Sequence, residues 1–329
     1  MHRLSTCRAT VSLLAVVALL LSCGDAQQGD AQQKPTPGKG WVPLASGSRL
    51  YYEVAGTTGD TIVVPGAVFW SSALAPLAQG HTVIFYDLLG RGRSDTASSS
   101  RIVLDSIVGD LETLRKFFGM ERMGLVGLSV NGLVAAAYAA SHPNRVGRLA
   151  LINPVAPTAD AHTSYTPPER NTRIDSTANR ELIRLRESGG SREAICRQFW
   201  KASGGWFVGD RAAAARLNPT WCSVPNETVD ASLLWLGYLS STAGSWDLTS
   251  AARTIKSPTL VVRAERDYFA NPEGGKAWAA AIPGARLLTL PGLGHLAVFE
   301  KADAVNGPLQ EFFAGRWPGG AVAVAVSDR

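Results

Sequence analysis

Gly127-Leu128-Ser129-Val130-Asn131-Gly132 is the stretch on which the reading of this chain turns. An apolar run, Met123–Val126, precedes it, and an alanine-rich stretch, Val130–Ser141, follows it up to His142-Pro143. A short apolar run reads as a buried strand, and a longer periodic one stopped by proline reads as a helix. The hexapeptide is therefore expected at a sharp strand-to-helix turn, which lifts a serine hydroxyl above a sheet in a strained conformation. Small neighbours are required because strand and helix approach closely there. The amide of Val130, at the start of the helix, can donate to a developing oxyanion. A plainer reading of the same residues has Ser129 merely capping the helix.

Working outward, Arg49–Ala55, Thr61–Val64, Thr82–Tyr86, Leu149–Ile152, Thr259–Arg263 and Arg286–Leu290 read as further strands. Leu104–Phe118, Pro272–Ala281 and Ala297–Ala314 read as helices between or after them. Strands alternating with helices predict a mostly parallel sheet flanked by helices, an α/β fold. Between Pro154 and about Ser257 the alternation stops. That stretch holds five of the nine tryptophans, Trp200, Trp206, Trp221, Trp235 and Trp246, and is expected to be a helical insertion over one edge of the sheet. The length of 329 residues suits one large domain with such an insertion. With 46% hydrophobic and 18% charged residues, the chain can bury a sizeable core and is no disordered tail. A net charge of +5 without a Lys/Arg run of five argues against a nucleic-acid partner.

An activated serine needs a base, and the base needs an orienting acid. Of the five histidines, His2 lies in the leader, His81 opens a strand, His142 ends a helix and His162 lies in the insertion. His295 alone follows a late strand, on the glycine-rich loop Pro291–Gly294. The strand Thr259–Arg263 runs into Ala264-Glu265-Arg266-Asp267, which makes Asp267 the candidate acid and Glu265 a weaker rival. The end of the preceding strand offers only Asn153, which cannot stabilise an imidazolium as a carboxylate can.

With Ser129, Asp267 and His295 in that order, the chain resembles the α/β-hydrolases from about Arg49 to Phe313. The segment Asp87-Leu88-Leu89-Gly90-Arg91-Gly92-Arg93-Ser94-Asp95 is similar to that family's loop after its fourth strand. The resemblance implies oxyanion donors at the amides of Val130 and Ala67, and no metal or organic cofactor. A serine nucleophile separates the chain from the dehalogenase and epoxide-hydrolase branches. Two departures stand out. The family's elbow has glycine two residues after the serine, where this chain has Asn131, whose bulk could crowd the turn or whose amide could reach the substrate. The family's oxyanion loop reads His-Gly, where this chain has Pro65-Gly66. Within the insertion, Cys222 to Glu227 and Gly244 to Asp247 are similar to the cap of proline-iminopeptidase-like members, which implies that Glu227 could hold a substrate amine. A surface ion pair is the alternative for Glu227. The tryptophans could line an apolar substrate pocket or form the cap's own core.

The amino terminus reads as an address. Arg3 and Arg8 flank the start of a 13-residue apolar run, Ala9–Leu21, which is short for a permanent membrane span. Leu20-Leu21-Ser22-Cys23 resembles a bacterial lipobox, with Cys23 as the acylated residue, and the Gln/Asp/Pro/Gly-rich stretch Asp25–Gly40 reads as a tether. A plain cleaved signal and an uncleaved anchor are the alternatives. Export to a bacterial cell envelope leaves Cys196 and Cys222 as the cysteines of the folded domain, and an oxidising compartment favours their pairing. The expected organisation is a signal peptide over 1–22, a tether over 23–40, a hydrolase core over 41–153 and 258–317, a helical cap over 154–257 and a loose tail over 318–329. The expected activity is hydrolysis of a small ester or amide. A proline-iminopeptidase-like aminopeptidase and a catalytically inactive ligand-binding lipoprotein remain the alternatives.

Overall fold

The computed structural model describes residues 35–242 and 246–324. The apolar run, Cys23 and most of the expected tether lie outside the described residues. Among the described residues nine strands form one sheet: β1 (Gly38–Pro43), β2 (Arg49–Ala55), β3 (Thr61–Pro65), β4 (Thr82–Tyr86), β5 (Met123–Leu128), β6 (Val146–Ile152), β7 (Thr259–Ala264), β8 (Arg286–Leu290) and β9 (Val322–Ala323). Their spatial order is β1-β2-β4-β3-β5-β6-β7-β8-β9. The six strands from β4 through β3 to β8 run parallel, while β1, β2 and β9 pair antiparallel at the margins.

The parallel strands are apolar on both faces because both are covered. Val63, Ile84, Leu125, Leu151 and Val261 face one layer, and Ile62, Val83, Phe85, Val126, Ile152 and Val262 face the other. The first layer is covered by α2 (Leu104–Phe117), α3 (Val130–Ser141) and α9 (Pro272–Ala281), through Leu111, Leu133 and Trp278. The second is covered by α11 (Ala302–Phe313), through Leu309 and Phe312, and by Trp70 of the short α1 (Ala67–Trp70). Asn271 accepts the Glu273 amide ahead of α9, and Pro272 supplies its first turn, the sequence signature of a helix start.

The expected helix over 297–314 is divided. It forms α10 (Ala297–Glu300) and α11, because Lys301 adopts an extended backbone (φ −149°, ψ 85°). Two other expectations need correction. The tether does not extend to residue 40: Gly38–Pro43 pairs with β2, in register Trp41 to Tyr51, and Lys39 faces Glu53 across the pair. Nor is the tail wholly loose from 318, since Val322 and Ala323 pair with Leu287 and Arg286. Composition hides such strands because they are short and interrupted by glycine or proline, although Val42 of β1 is fully buried in the core.

The described residues between 154 and 257 hold the expected helices, α4 (Ala159–Thr163), α5 (Ser176–Glu187), α6 (Arg192–Ser203), α7 (Val229–Thr242) and α8 (Thr249–Ala252). Asp175 and Ser191 cap α5 and α6 by accepting the amides of Ala178 and Ala194. The insertion lies over the carboxyl ends of the strands rather than over one edge. The indole of Trp235 donates to the Leu89 carbonyl, the Asn226 amide to the Ser94 carbonyl, and the Leu296 amide to the Phe207 carbonyl. A disulfide joins Cys196 of α6 to Cys222, with Cα atoms 5.6 Å apart. Closing a loop of this length removes unfolded-state freedom worth about 3 kcal/mol.

Candidate active site

Ser129 stands between β5 and α3 with φ 54° and ψ −126°, a conformation costing a non-glycine residue on the order of 1–3 kcal/mol. The neighbouring sequence makes the turn possible. A Cβ on Gly127 would sit 2.7 Å from that of Ala135, and one on Gly132 2.9 Å from that of Pro154. Strand and helix approach too closely there for any other residue. The turn leaves Ser129 half-buried, with its hydroxyl reachable from the cavity above.

His295, on the loop after β8, brings Nε2 to 3.0 Å from Ser129 Oγ. Its Nδ1 lies 2.7 Å from Asp267 Oδ2, after β7, so the imidazole N–H donates to the carboxylate. The other oxygen, Asp267 Oδ1, accepts the amides of Phe269 (2.9 Å) and Ala270 (2.8 Å). Asp267 and His295 are both buried. From the insertion, the Tyr165 hydroxyl donates to the Asp267 carbonyl at 2.7 Å. Glu265 points elsewhere and accepts the Gly292 amide at the turn after β8. The structure thus brings Ser129, His295 and Asp267 together and leaves Glu265 apart.

Asn153 has a role that sequence reasoning missed. It follows β6 with φ 42°. Its Oδ1 accepts the Ala264 amide (2.6 Å) and its Nδ2 donates to the carbonyls of His295 (2.8 Å) and Gly294 (3.3 Å). One buried amide therefore ties the end of β7 to the loop carrying the histidine. The available signal was a polar residue closing an otherwise apolar strand end, Leu149-Ala150-Leu151-Ile152.

Val130 and Ala67 are the first residues of α3 and α1, so their amides fall outside the intrahelical ladder. Asn131 does not crowd the elbow: its Nδ2 donates to the Pro65 carbonyl at 3.0 Å. The carboxylate of Glu227 is buried and occupied, which corrects the expectation of an amine anchor. It accepts Arg91 Nε (3.1 Å) and Arg91 Nη2, the Gly92 amide (2.9 Å) and the Ser232 hydroxyl (3.1 Å). A bidentate arginine plus two further donors leaves little acceptor capacity for a substrate amine.

A cavity of about 250 Å³ opens above Ser129. Aromatic side chains such as Phe69, Trp70, Trp200, Phe207, Trp221 and Phe269 share its apolar wall with aliphatic ones such as Val155, Leu233, Leu236 and Leu239. Trp246 also lines it, whereas Trp235 stacks on Arg91 and Trp206 donates to the Arg170 carbonyl. The tryptophans of the insertion are thus divided between the pocket and the insertion's own packing. His162 reaches the cavity with a buried Nδ1 that has no hydrogen-bond partner among the described residues. Burial holds its imidazole below the ordinary value, and the neighbouring His295 adds to this.

Asp87 lines the same cavity and is fully buried. Burial pushes its carboxyl up to about 6, against the opposing amides of Arg93 and Val68, and the charge of Glu227 adds to the rise. Ionisation is therefore penalised in the folded state only. The penalty is absent below about pH 4, develops as pH rises and is nearly complete at pH 7. A rise of about two units corresponds to about 3 kcal/mol. Asp87→Asn carries a constant cost, since one backbone amide then faces an NH₂ group. Relative to the variant, the wild type should lose on the order of 3 kcal/mol between pH 4 and 7 in urea unfolding. A difference independent of pH would contradict this account.

The comparisons with known proteins agree with the fold. The sequence model described as the Alpha/beta hydrolase family matches residues 61–307. A 2-hydroxy-6-oxononadienedioate/2-hydroxy-6-oxononatrienedioate hydrolase of Comamonas testosteroni is 25% identical over 283 residues, covering 82% of this chain and 92% of its own. A putative carbamate hydrolase, RutD, of Variovorax paradoxus is 25% identical over 272 residues, covering 80% and 96%. The crystal structure of an enol-lactonase from Burkholderia xenovorans superposes with a TM-score of 0.62 at 23% identity, covering 84% of this chain and 100% of that one. The chain belongs to the alpha/beta hydrolase family and is a hydrolase.

Proposed function

We propose that the protein is a serine hydrolase that cleaves a small ester or amide bearing an apolar or aromatic group. The observation that carries this is the hydrogen-bonded chain Ser129–His295–Asp267 opening into a largely apolar cavity of aromatic and aliphatic side chains. Ser129 Oγ attacks the substrate carbonyl as its proton passes to His295 Nε2. The amides of Val130 and Ala67 hold the oxyanion. His295 returns the proton to the leaving alkoxide or amine, which departs as the C–O or C–N bond breaks. Water, deprotonated by the same nitrogen, then attacks the acyl-enzyme and releases the acid and Ser129. Asp267 holds the ring by its Nδ1 hydrogen bond and stabilises the imidazolium.

An aminopeptidase of the proline-iminopeptidase type needs a free carboxylate for the substrate amine, and Glu227 is already paired with Arg91. This favours an ester or simple amide. The test is a panel of p-nitrophenyl esters of increasing acyl length set against aminoacyl-naphthylamides, together with labelling by a fluorophosphonate probe. Hydrolysis of the esters and labelling of wild type but not Ser129→Ala is expected. Absence of labelling would favour the ligand-binding alternative, and preference for the naphthylamides the aminopeptidase.

We further propose an exported protein held on a cell-envelope membrane by a lipid on Cys23. The support is the charged start, the short apolar run and the Leu-Leu-Ser-Cys ending at residue 23. Labelled palmitate should be incorporated by wild type and not by Cys23→Ala. Equal incorporation by both would remove the anchor.

A further inference from the structure

We propose that Asn131 is a positioning residue that locks the oxyanion loop, Pro65 to Val68, onto the nucleophile turn. This rests on the serine-hydrolase reading and assigns the residue a part in it other than substrate contact. The loop leaves β3 at Pro65, whose carbonyl accepts Asn131 Nδ2 at 3.0 Å. The next residue, Gly66, is left-handed, with φ 92° and ψ 51°. A Cβ there would stand 2.9 Å from Asn131 Nδ2 and 2.8 Å from Trp70 Cδ1. Side chain and loop backbone are therefore fitted to each other. Ala67 then opens α1 with its amide outside the helical ladder. The loop is pinned from its other side by the Val68 amide, which donates to Asp87 Oδ1 at 2.9 Å.

Asn131 lies two residues beyond Ser129, in the first turn of α3. Beyond the pairing of β3 with β5, this hydrogen bond ties the start of the helix that presents Val130 to the loop that leads to Ala67. The two departures from the family pattern, Pro65 and Asn131, are the two ends of that single bond. Oxyanion donors act on charge that exists only in the tetrahedral state, so their placement affects the transition state more than substrate binding. Loss of the tie should appear in kcat and not in KM.

The experiment uses the full chain and two variants, Asn131→Gly and Asn131→Ala, with p-nitrophenyl butyrate as substrate and phenylboronic acid as inhibitor. The tetrahedral boronate formed on Ser129 places an oxygen where the oxyanion would lie. Losing one oxyanion donor outright costs about 10²–10³ in kcat, so displacing one should cost roughly 10–100-fold. Expected is that fall in kcat with KM within about twofold, a matching rise in the inhibition constant of phenylboronic acid, and retained though slower fluorophosphonate labelling. A raised KM with kcat unchanged would make Asn131 a substrate contact and overturn the proposal. So would unchanged kcat and unchanged boronate affinity. Should Asn131→Gly fail to fold, Asn131→Ala decides by the same measurements. A wild type that neither turns over esters nor labels would instead remove the hydrolase reading itself.

Discussion

Ser129→Ala and His295→Ala are each expected to lower kcat by roughly 10⁴–10⁶-fold, and the double variant is expected to lose little more than either alone. The reason lies in the geometry. In the proposed mechanism the hydroxyl is activated only through the 3.0 Å contact to His295 Nε2, so removing either partner removes the same step. What survives is the contribution of the oxyanion amides and of binding in the cavity, which neither substitution touches. Steady-state kinetics on a p-nitrophenyl ester checks this. Additive losses, or a His295→Ala variant that retains most of its rate, would mean that the contact is not the catalytic one.

Asp267→Asn is expected to keep the fold and lower kcat by roughly 10³–10⁴-fold. Its Oδ1 holds two backbone amides, so the side chain stays in place as asparagine. The amide, however, presents an N–H to His295 Nδ1 where a carboxylate had accepted one, which favours the wrong tautomer and removes the charge that stabilises the imidazolium. Glu265→Gln should cost far less, because its contact is with the Gly292 amide and not with the histidine. Measuring both variants on one ester ranks the two carboxylates. The opposite ranking would place the orienting acid at Glu265.

Much of this was legible in the chain. The parallel strands are apolar on both faces, so their runs stand out. The order serine, acid, histidine follows from which strand end each residue closes. What escaped reading depends on partners remote in sequence. Glu227 looked available because Arg91, which occupies it, is 136 positions away. Asn153 reads only as a position where a carboxylate is missing, whereas its side chain joins the carbonyl of His295, 142 residues on, to the amide of Ala264. The insertion meets the loop after β4 through bonds such as that of Trp235 to the Leu89 carbonyl, which no periodicity encodes.

The two marginal strands have a bearing on how the protein can be handled. Along the sheet, β1 and β9 are the outermost members, so the first and last described strands cover the flanks of the parallel core. An uncovered flank is a row of unpaired amides and carbonyls that templates intermolecular pairing. Here one flank carries Lys39 and Pro43, features that discourage such pairing, and the other is covered over only Arg286 and Leu287. By composition both terminal segments look dispensable. Trimming to residue 41 or back to 317 would strip strand from each side and expose β2 and β8, turning a self-limiting sheet into one that can add neighbours and aggregate.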